Sequence, residues 1–412
     1  MKSNLNYIDL FAGAGGLSEG FIRAGFNPIA HVEMDSAACF TLKTRIAYHH
    51  LSENGKEDIY NSYLLGEISR EDLYSKIPEQ LMKSVINAEI GIENRETFKV
   101  IDSALDGRSV DLIIGGPPCQ AYSVVGRAPL KHKSDDERTM LYVHYGRFLK
   151  KYQPKVFVFE NVPGILSAAN GKYFKNLQKY YRRLGYVVEQ KLLNALDFGV
   201  VQSRERVIVI GWKKEIDFSY PEFCLEELRG YRDDIFSDLP KIFPGEVSRT
   251  QQYSSAINTY LKQTEIRNGV NYVTQHITRP HNDKDLAIYR LAIERMNAGE
   301  RLKNNLIPEE MRTQKNTKDF LDRFKVVDKT PHTMIAHIAK DGHHFIHPDV
   351  NQLRSISVRE AARIQSFPDS YYFEGIKEKS PRSAAFRQIG NAVPPLMAEK
   401  IAEQIKNLLD NA

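Results

Sequence analysis

The chain has 412 residues, of which 42% are hydrophobic and 26% are charged, and its formal net charge is +5 at pH 7. These values are ordinary for a globular protein with a large core, and the length allows two or three domains. No apolar run approaches the roughly 20 residues that a membrane span needs, and three cysteines cannot build a disulfide framework. The composition therefore excludes membrane-spanning and disulfide-stapled proteins, and we predict a cytoplasmic protein without a membrane partner. The basic excess is compatible with a polyanionic partner, but it is also common elsewhere.

The first half of the chain alternates short apolar runs with helix-like segments. Strand candidates lie at residues 7–11, 29–33, 111–115, 156–160 and 207–211. Helix candidates lie at residues 17–24, 36–48, 139–151 and 172–184. Continuously apolar strands are typical of a parallel sheet that helices cover on both faces. The pattern predicts an α/β fold with a doubly wound, mostly parallel, Rossmann-like sheet.

The strand–helix rhythm is interrupted at residues 49–98 and fades after Lys213. The polar segment 49–98 has helical periodicity, and we predict an insertion at the sheet edge. Seven of the twelve histidines lie between residues 275 and 347, but no ligand spacing repeats among them, so no metal site is predicted. We predict a first domain formed by residues 1–212 and 382–412, and a second, smaller domain over residues 213–381.

A glycine-rich segment, DLFAGAGG, occupies residues 9–16 directly after the first strand candidate. Closely spaced glycines let a ligand approach the backbone at the carboxyl edge of a sheet. Glu33 follows Gly13 by 20 residues and ends the second strand candidate, where a carboxylate can hold ribose hydroxyls. A dinucleotide fingerprint would need glycine where the chain has Ser18. The segment favours S-adenosylmethionine, which has no pyrophosphate, and the alternative is a structural glycine turn.

A cysteine follows the third strand candidate, in the segment GGPPCQAYS at residues 115–123. Two prolines stiffen this loop, and the strand places Cys119 at the edge where ligands bind. Backbone amides there can lower the pKa of a thiol and raise its thiolate fraction. Most cysteines are inert, buried side chains, and we assign that state to Cys39 and Cys224. We predict that Cys119 is a nucleophile.

Two further polar segments adjoin strand candidates. Glu160 closes the strand candidate 156–160, and a carboxyl group there can act as a general acid or bind a ring nitrogen. The segment QSRER at residues 202–206 places two guanidinium groups on one face of an extended backbone, which suits phosphate or a developing charge. Taken alone, Glu160 is more typical of a capping or surface carboxylate, and the arginine segment fits a solvated basic face equally well.

Taken in order, these segments resemble the motifs of the DNA (cytosine-5)-methyltransferase family of bacteria and phages. The resemblance covers nearly the whole chain and includes residues 9–16, 33–35, 118–123, 136–141, 160–162, 202–206, 358–369 and 388–395. One such motif would be a weak indication, but the complete series in the family's order is specific.

The resemblance implies that a methyl group passes from S-adenosylmethionine to carbon 5 of a cytosine in double-stranded DNA, leaving S-adenosyl-L-homocysteine. Cys119 would add to carbon 6 of a cytosine that has swung out of the duplex, and Glu160 would hydrogen-bond ring nitrogen 3. Arg204 would contact the cytosine carbonyl oxygen or a phosphate, and Arg206 would support the loop.

The resemblance also assigns binding residues. Those implied for the cofactor are Phe11, Gly13, Gly15, Gly16, Leu17, Glu33, Met34, Asp102, Pro118, Leu141, Asn391, Ala392 and Val393. Those implied for the DNA substrate are Gln120, Ser123, Asn161, Val162, Gln202 and Thr333. The second domain becomes the target-recognition domain. The expected assembly is a monomer, either solitary or paired with a restriction endonuclease that acts separately.

Three other functions compete with this one. An RNA methyltransferase of the same superfamily would carry a Cys-Phe-Thr signature in its recognition region, whereas here Cys39-Phe40-Thr41 lies far upstream. A catalytically inactive paralogue would not need Cys119 and Glu160. A nicotinamide dehydrogenase is disfavoured by the missing third glycine and by the Pro-Pro-Cys loop.

Overall fold

The computed structural model describes residues 5–118, 141–223, 228–312, 321–378 and 381–411. Its centre is a seven-stranded sheet in the order β3-β2-β1-β4-β5-β7-β6. The strands are β1 Asn6–Leu10, β2 Asn27–Glu33, β3 Val85–Asn87, β4 Leu112–Gly115, β5 Val156–Asn161, β6 Tyr186–Asn194 and β7 Glu205–Lys213. The first five strands in this order are parallel, and β7 runs antiparallel to both β5 and β6. The predicted α/β fold with a mostly parallel sheet is confirmed.

Helices connect the strands and form most of the remaining regular structure. They are α1 Gly16–Arg23, α2 Ser36–Glu53, α3 Glu57–Leu65, α4 Arg70–Ser75, α5 Glu79–Lys83, α6 Arg95–Leu105, α7 Leu141–Tyr152, α8 Lys172–Arg183, α9 Arg232–Phe236, α10 Thr259–Gln263, α11 Asp283–Asn297, α12 Val358–Ile364, α13 Arg382–Asn391 and α14 Pro395–Asp410. Short β8 Thr250–Gln252 and β9 Tyr272–Thr274 pair antiparallel in a separate ladder. In the part of the chain that is described, no helix has the length and apolarity that crossing a bilayer requires.

Both faces of the sheet are covered, because successive side chains of a strand point to opposite sides. In β5, Val156 and Val158 pack towards α1 and α14, whereas Phe157 and Phe159 pack towards α6, α7 and α8. A Cβ atom on Gly20 of α1 would lie 2.3 Å from the backbone nitrogen of Glu399, so α14 lies directly on α1. The last helix of the chain thus packs on the sheet domain.

The region after Lys213 has little regular structure, and buried ion pairs hold part of its core. Arg354, Arg359 and Arg363 are all fully buried. Arg363 binds the carboxylates of Asp369 at 2.5 Å and of Asp238, and Arg354 binds Glu360. Buried charges of this kind need complete pairing, because an unpaired one is costly. The segment at residues 358–369 is therefore a structural centre of this region.

Residues 49–98, which we predict to be an insertion at the sheet edge, supply regular structure to the sheet itself. Helix α2 extends into this segment, and the segment also supplies the edge strand β3 and the start of α6. Its helices α3 and α4 reach the second region. The side chain of Arg249 donates to the carbonyl oxygen of Leu64 at 2.9 Å, and the Tyr63 hydroxyl donates to Glu374 at 2.5 Å. Tyr272 donates to Asn61 at 2.9 Å. The segment therefore braces the second region against the sheet.

Candidate active site

The glycine-rich loop between β1 and α1 lies at the carboxyl edge of the sheet. Gly13 has a φ of 54°, and a Cβ atom added to it would meet no atom within 4 Å, so its backbone borders open space. A Cβ atom on Gly16 would instead lie 2.3 Å from the carbonyl oxygen of Val393 and 3.1 Å from Ala392. The two glycines therefore serve different needs, because Gly13 leaves room for a ligand and Gly16 admits residues 392–393.

Glu33 at the end of β2 organises this loop. One carboxylate oxygen accepts the backbone N–H of Gly13 at 2.8 Å, and the other accepts that of Asp35 at 2.7 Å. Burial raises the pKa of Glu33, and these two N–H groups oppose that rise. Each oxygen keeps a further lone pair for a hydroxyl donor. Met34 beside it is 60% exposed, which is unusual for a large apolar side chain.

The neighbouring strand β3 contributes residues that sequence reasoning missed. The side-chain amide of Asn87 donates to the carbonyl oxygens of Glu33 and Met34, at 3.1 and 3.0 Å. Two residues later the exposed carboxylate of Glu89 follows at the same edge. A polar pair directly after the apolar Val85-Ile86 was the available signal, but three residues are too few to show strand periodicity.

These groups fit a nucleoside cofactor such as S-adenosylmethionine. The open space at Gly13 lets a ligand lie against the backbone of the loop. The Glu33 carboxylate can accept hydrogen bonds from two ribose hydroxyls, and the exposed Met34 offers an apolar surface for a base. Glu89 lies where an exocyclic amine could be bound.

A second group of polar residues gathers where β4, β5 and β7 meet. The guanidinium of Arg206 binds the carboxylate of Glu160 at 2.7 Å, and both side chains are about nine-tenths buried. A Cβ atom on Gly116 would lie 2.5 Å from the other carboxylate oxygen of Glu160. Asn161 donates to the carbonyl oxygen of Pro117 at 3.0 Å. The loop that leads from β4 towards residue 119 therefore runs against Glu160.

The structure contradicts the predicted role of Arg204. Its side chain is fully buried, and it donates to the carbonyl oxygens of Met334, Gly390 and Ala392 at 2.5 to 3.2 Å. Burial lowers its pKa, and the nearby Arg206 adds to that effect. Arg204 therefore ties three chain segments together, whereas Arg206 lies beside Glu160.

Gln202 is likewise a structural residue, and its predicted contact with substrate is wrong. It is fully buried, its amide nitrogen donates to Gln365 at 2.8 Å, and its amide oxygen accepts from the backbone of Met334 at 2.5 Å. Thr333 donates from its hydroxyl to the carbonyl oxygen of Ser203 at 2.7 Å. Residues 333–334 are thereby fixed beside the segment that carries Arg206.

Comparison with known proteins identifies the family of the chain. The model of the C-5 cytosine-specific DNA methylase family matches residues 5–69 and 74–407. The chain belongs to this family. It is an S-adenosylmethionine-dependent methyltransferase that modifies carbon 5 of cytosine in DNA.

Individual relatives match over nearly the whole of this chain. The methyltransferase is 41% identical to the type II methyltransferase M.Bpa9945I of Bacillus paralicheniformis, covering 98% of this chain and 99% of the relative. It is 31% identical to a type II methyltransferase of Haemophilus parahaemolyticus, covering 99% and 88%. A DNA modification methyltransferase encoded within an E. coli prophage superposes with a TM-score of 0.67 at 25% identity, over 99% and 100% of the two chains. An Entamoeba histolytica methyltransferase shares the fold at 16% identity, with a TM-score of 0.55 over 99% of both chains.

The methyltransferase does not gather every residue that we predicted at its cofactor loop. Asp102 lies near the end of α6, where Lys151 and the Tyr152 hydroxyl bind its carboxylate at 2.8 and 3.0 Å. Both α6 and α7 end just before a strand begins, so this cluster lies at the opposite edge of the sheet. The prediction for Asp102 is wrong. Leu17 has its side chain in the core under α14, so only its backbone can serve the cofactor.

The remaining predicted residues lie either at the ends of strands and helices or outside the described residues. Pro118 is exposed where β4 leads into the loop, Val162 follows β5 directly, Leu141 opens α7, and Asn391 is exposed at the end of α13. Phe11 has a φ of 55° at the end of β1, and Gly15 has a φ of 81° at the start of α1. Cys119, Gln120 and Ser123 lie outside the described residues.

Proposed function

We propose that this methyltransferase modifies a specific cytosine in double-stranded DNA through a covalent bond between Cys119 and a flipped-out base. The Glu160–Arg206 ion pair carries the proposal, because it lies against residues 116–118, which lead directly to Cys119. A cytosine held over this pair has its ring beside the loop that bears the thiol. A paired and stacked base could not reach that position without leaving the duplex, at a cost of a few kcal/mol.

The chain's own residues activate the base. The Cys119 thiolate adds to carbon 6 of cytosine, and the displaced electron pair moves towards ring nitrogen 3 and carbon 5. Glu160 hydrogen-bonds nitrogen 3, and Arg206 takes the contact with the carbonyl oxygen that we first assigned to Arg204. Carbon 5 thereby becomes electron-rich and accepts the methyl group. Removal of the carbon-5 proton then lets Cys119 leave and restores the ring.

The cofactor side of the site is proposed from the same edge of the sheet. S-adenosylmethionine, when bound, supplies an electrophilic methyl group. Glu33 holds its ribose, Met34 packs on its adenine, and Glu89 replaces Asp102 as the acidic partner of the adenine. Gly13 keeps the space beside the loop open, and residues 391–393 close the site from the other side.

We further propose that residues 213–381 recognise the target sequence and that residues 1–212 with 382–412 carry out the transfer. Residues 333–334 support this, because they are anchored beside Arg206 while Ile335 next to them is exposed. The type II names of the relatives support a role in restriction–modification, with a cognate endonuclease that acts separately. We propose that the enzyme is a monomer and works at the nucleoid.

The covalent step can be tested with a duplex that carries 5-fluorocytosine at the target, because fluorine at carbon 5 cannot leave as a proton does. Bisulfite sequencing of DNA from expressing cells first identifies the target. We expect the wild-type enzyme to form a denaturation-resistant adduct with this duplex and the Cys119→Ser variant to form none and to transfer no methyl group. Cys224→Ser is the matched control and should behave as wild type. Full turnover by Cys119→Ser would contradict the mechanism, and transfer to tRNA in preference to duplex DNA would contradict the proposed substrate.

A further inference from the structure

Helix α8 carries an excess of positive charge that its packing on the sheet does not explain. It reads KYFKNLQKYYRR, with five cationic residues and no acidic one. Its apolar side, formed by Tyr173, Phe174, Leu177 and Tyr181, packs on the sheet. The cationic residues are all exposed on the other side, and we call them the basic face: Lys172, Lys175, Lys179, Arg182 and Arg183.

Neighbouring elements do not neutralise the basic face. Within the described residues, none of its five side chains forms an ion pair. On the adjacent edge strand β6, Gln190 lies beside α8 and accepts a hydrogen bond from Gln178 at 2.9 Å. The carboxylate of Glu189 lies on the other side of the sheet, near Tyr220. Like charges at this spacing repel one another, so an anionic partner would stabilise them.

The geometry of the basic face suits a phosphate backbone. Its residues recur every three or four positions, which places neighbouring charges about 5–6 Å apart along one side of a helix. Four of them, together with Gln178, line a shallow depression of about 480 Å³. The row begins where β5 ends, since only two short turns, Pro163–Leu166 and Ala168–Gly171, separate Asn161 from α8. The row of charges therefore starts at the carboxyl edge of the sheet and continues along α8 on one face of the sheet.

We propose that the basic face binds the phosphates of duplex DNA that extends beyond the target site. This partner is chosen because the enzyme already holds duplex DNA at the edge where the row begins. The contact adds affinity that depends on salt but not on sequence, because backbone phosphates carry no base information. It takes no part in methyl transfer. The inference rests on the DNA substrate and goes beyond the proposed roles of the active-site residues.

The test compares a short duplex that covers only the target, about 14 base pairs, with one of about 40 base pairs that contains the same target. The variant carries Lys175→Gln, Lys179→Gln and Arg183→Gln, since glutamine keeps the helix propensity. A matched control, Lys56→Gln, Lys76→Gln and Lys214→Gln, removes the same charge from exposed positions elsewhere. Dissociation constants are measured from about 50 to 200 mM salt, the range over which phosphate contacts change affinity most visibly.

We expect the variant to bind the long duplex at least ~10-fold more weakly at about 0.1 M salt, with a salt slope reduced by about 0.9 for each phosphate that the variant no longer neutralises. Its affinity for the short duplex, its turnover at saturating DNA and both affinities of the control should equal wild type. Unchanged affinity for the long duplex would overturn the proposal. An equal loss of affinity on both lengths would also overturn it, because the residues would then act at the target itself. A loss confined to single-stranded RNA of matched length would assign the face to RNA instead.

Discussion

The carboxyl edge of the sheet and the core of the second region use charged residues in opposite ways. At the edge, Glu33 lies between a loop and open space, and its oxygens keep free lone pairs. In the second region, Arg363 has no exposure, and all of its described bonds end on protein oxygen atoms. A charged group can act on a ligand only where the protein has left part of its bonding capacity unused. The burial of a charged side chain and the number of its bonds to the protein therefore indicate whether it binds a ligand or stabilises the fold more clearly than its residue type does.

Arg204 and Arg206 show this difference between two charged residues of one short segment. The sequence predicts both side chains on one side of an extended backbone. The carbonyl oxygens of Met334 in the second region and of Gly390 in α13 bind Arg204, whereas Arg206 lies beside Glu160. The following predictions test whether this division holds.

The largest effect is expected from replacing each of the two arginines. Arg206→Lys, which keeps a positive charge beside the buried Glu160, should lower the single-turnover rate of methyl transfer by about 10²–10³, because it removes a preorganised guanidinium donor, while the melting temperature stays near wild type. Arg204→Met should instead lower the free energy of unfolding by about 3 kcal/mol or more, because it leaves buried carbonyl groups without donors. Rapid-quench kinetics and denaturant unfolding measure the two effects. A stable but inactive Arg204→Met would reverse our assignment.

A buried ion pair of the second region should matter for stability alone. Asp238→Asn leaves Arg363 and Arg267 short of one negative charge and should destabilise the protein by about 3 kcal/mol. Asp410→Asn, which breaks the exposed pair with Lys406, serves as the control and should cost below about 1 kcal/mol. Urea titrations compare them. Equal costs would show that burial does not distinguish the two regions.

Acid should weaken the second region through His276. Burial lowers the pKa of this histidine to about 4, and its neutral ring fits its partners, since Nε2 donates to the Pro240 carbonyl and Nδ1 accepts from Ser357. The unfolded chain binds a proton at higher pH than the folded one, so this stabilisation is complete above about pH 6.5 and is lost as the pH falls towards 4.

The His276→Gln variant tests this dependence. Its free energy of unfolding should fall less steeply than that of wild type between pH 6.5 and 4, by up to about 1.4 kcal/mol for each pH unit. His50, which lies outside the second region, provides a control through His50→Gln. Identical slopes for His276→Gln and wild type would refute the role of His276.

The smallest effect is expected at the cofactor edge. Glu33→Ala removes the acceptor for two backbone N–H groups and for the ribose, and should weaken S-adenosylmethionine binding about tenfold or more. Glu96→Ala, at an exposed position of α6, should leave the affinity unchanged. Isothermal titration calorimetry measures both. An unaltered affinity of Glu33→Ala would remove Glu33 from the cofactor site.

Sequence reasoning located those elements whose apolar periodicity is continuous. Strands β1, β2, β4, β5 and β7 and the helices α1, α2, α7 and α8 lie where the pattern predicted them. Strands β3 and β6 were missed. The first has only three residues, and the middle of the second, Glu189–Lys191, is polar on both faces because it lies at the open edge of the sheet.

The sequence predicted which site residues lie at strand ends, but not which of them other chain segments would bury. Motif spacing predicted Glu33 and Glu160 at one edge, because parallel strands end there, and Arg206 joins them because the antiparallel strand β7 begins at that edge. It could not show that a segment about 130 residues further on would cover Gln202 and Arg204. Asp102 failed for a related reason, because position in sequence does not reveal which end of a helix faces the ligand.

The brace formed by α3 and α4 has a consequence for how DNA arrives. Hydrogen bonds that involve Arg249, Tyr63 and Tyr272 join the second region to α3 at the β3 end of the sheet. A duplex that approached from the β3 end would therefore meet this brace before it reached the ends of β4 and β5.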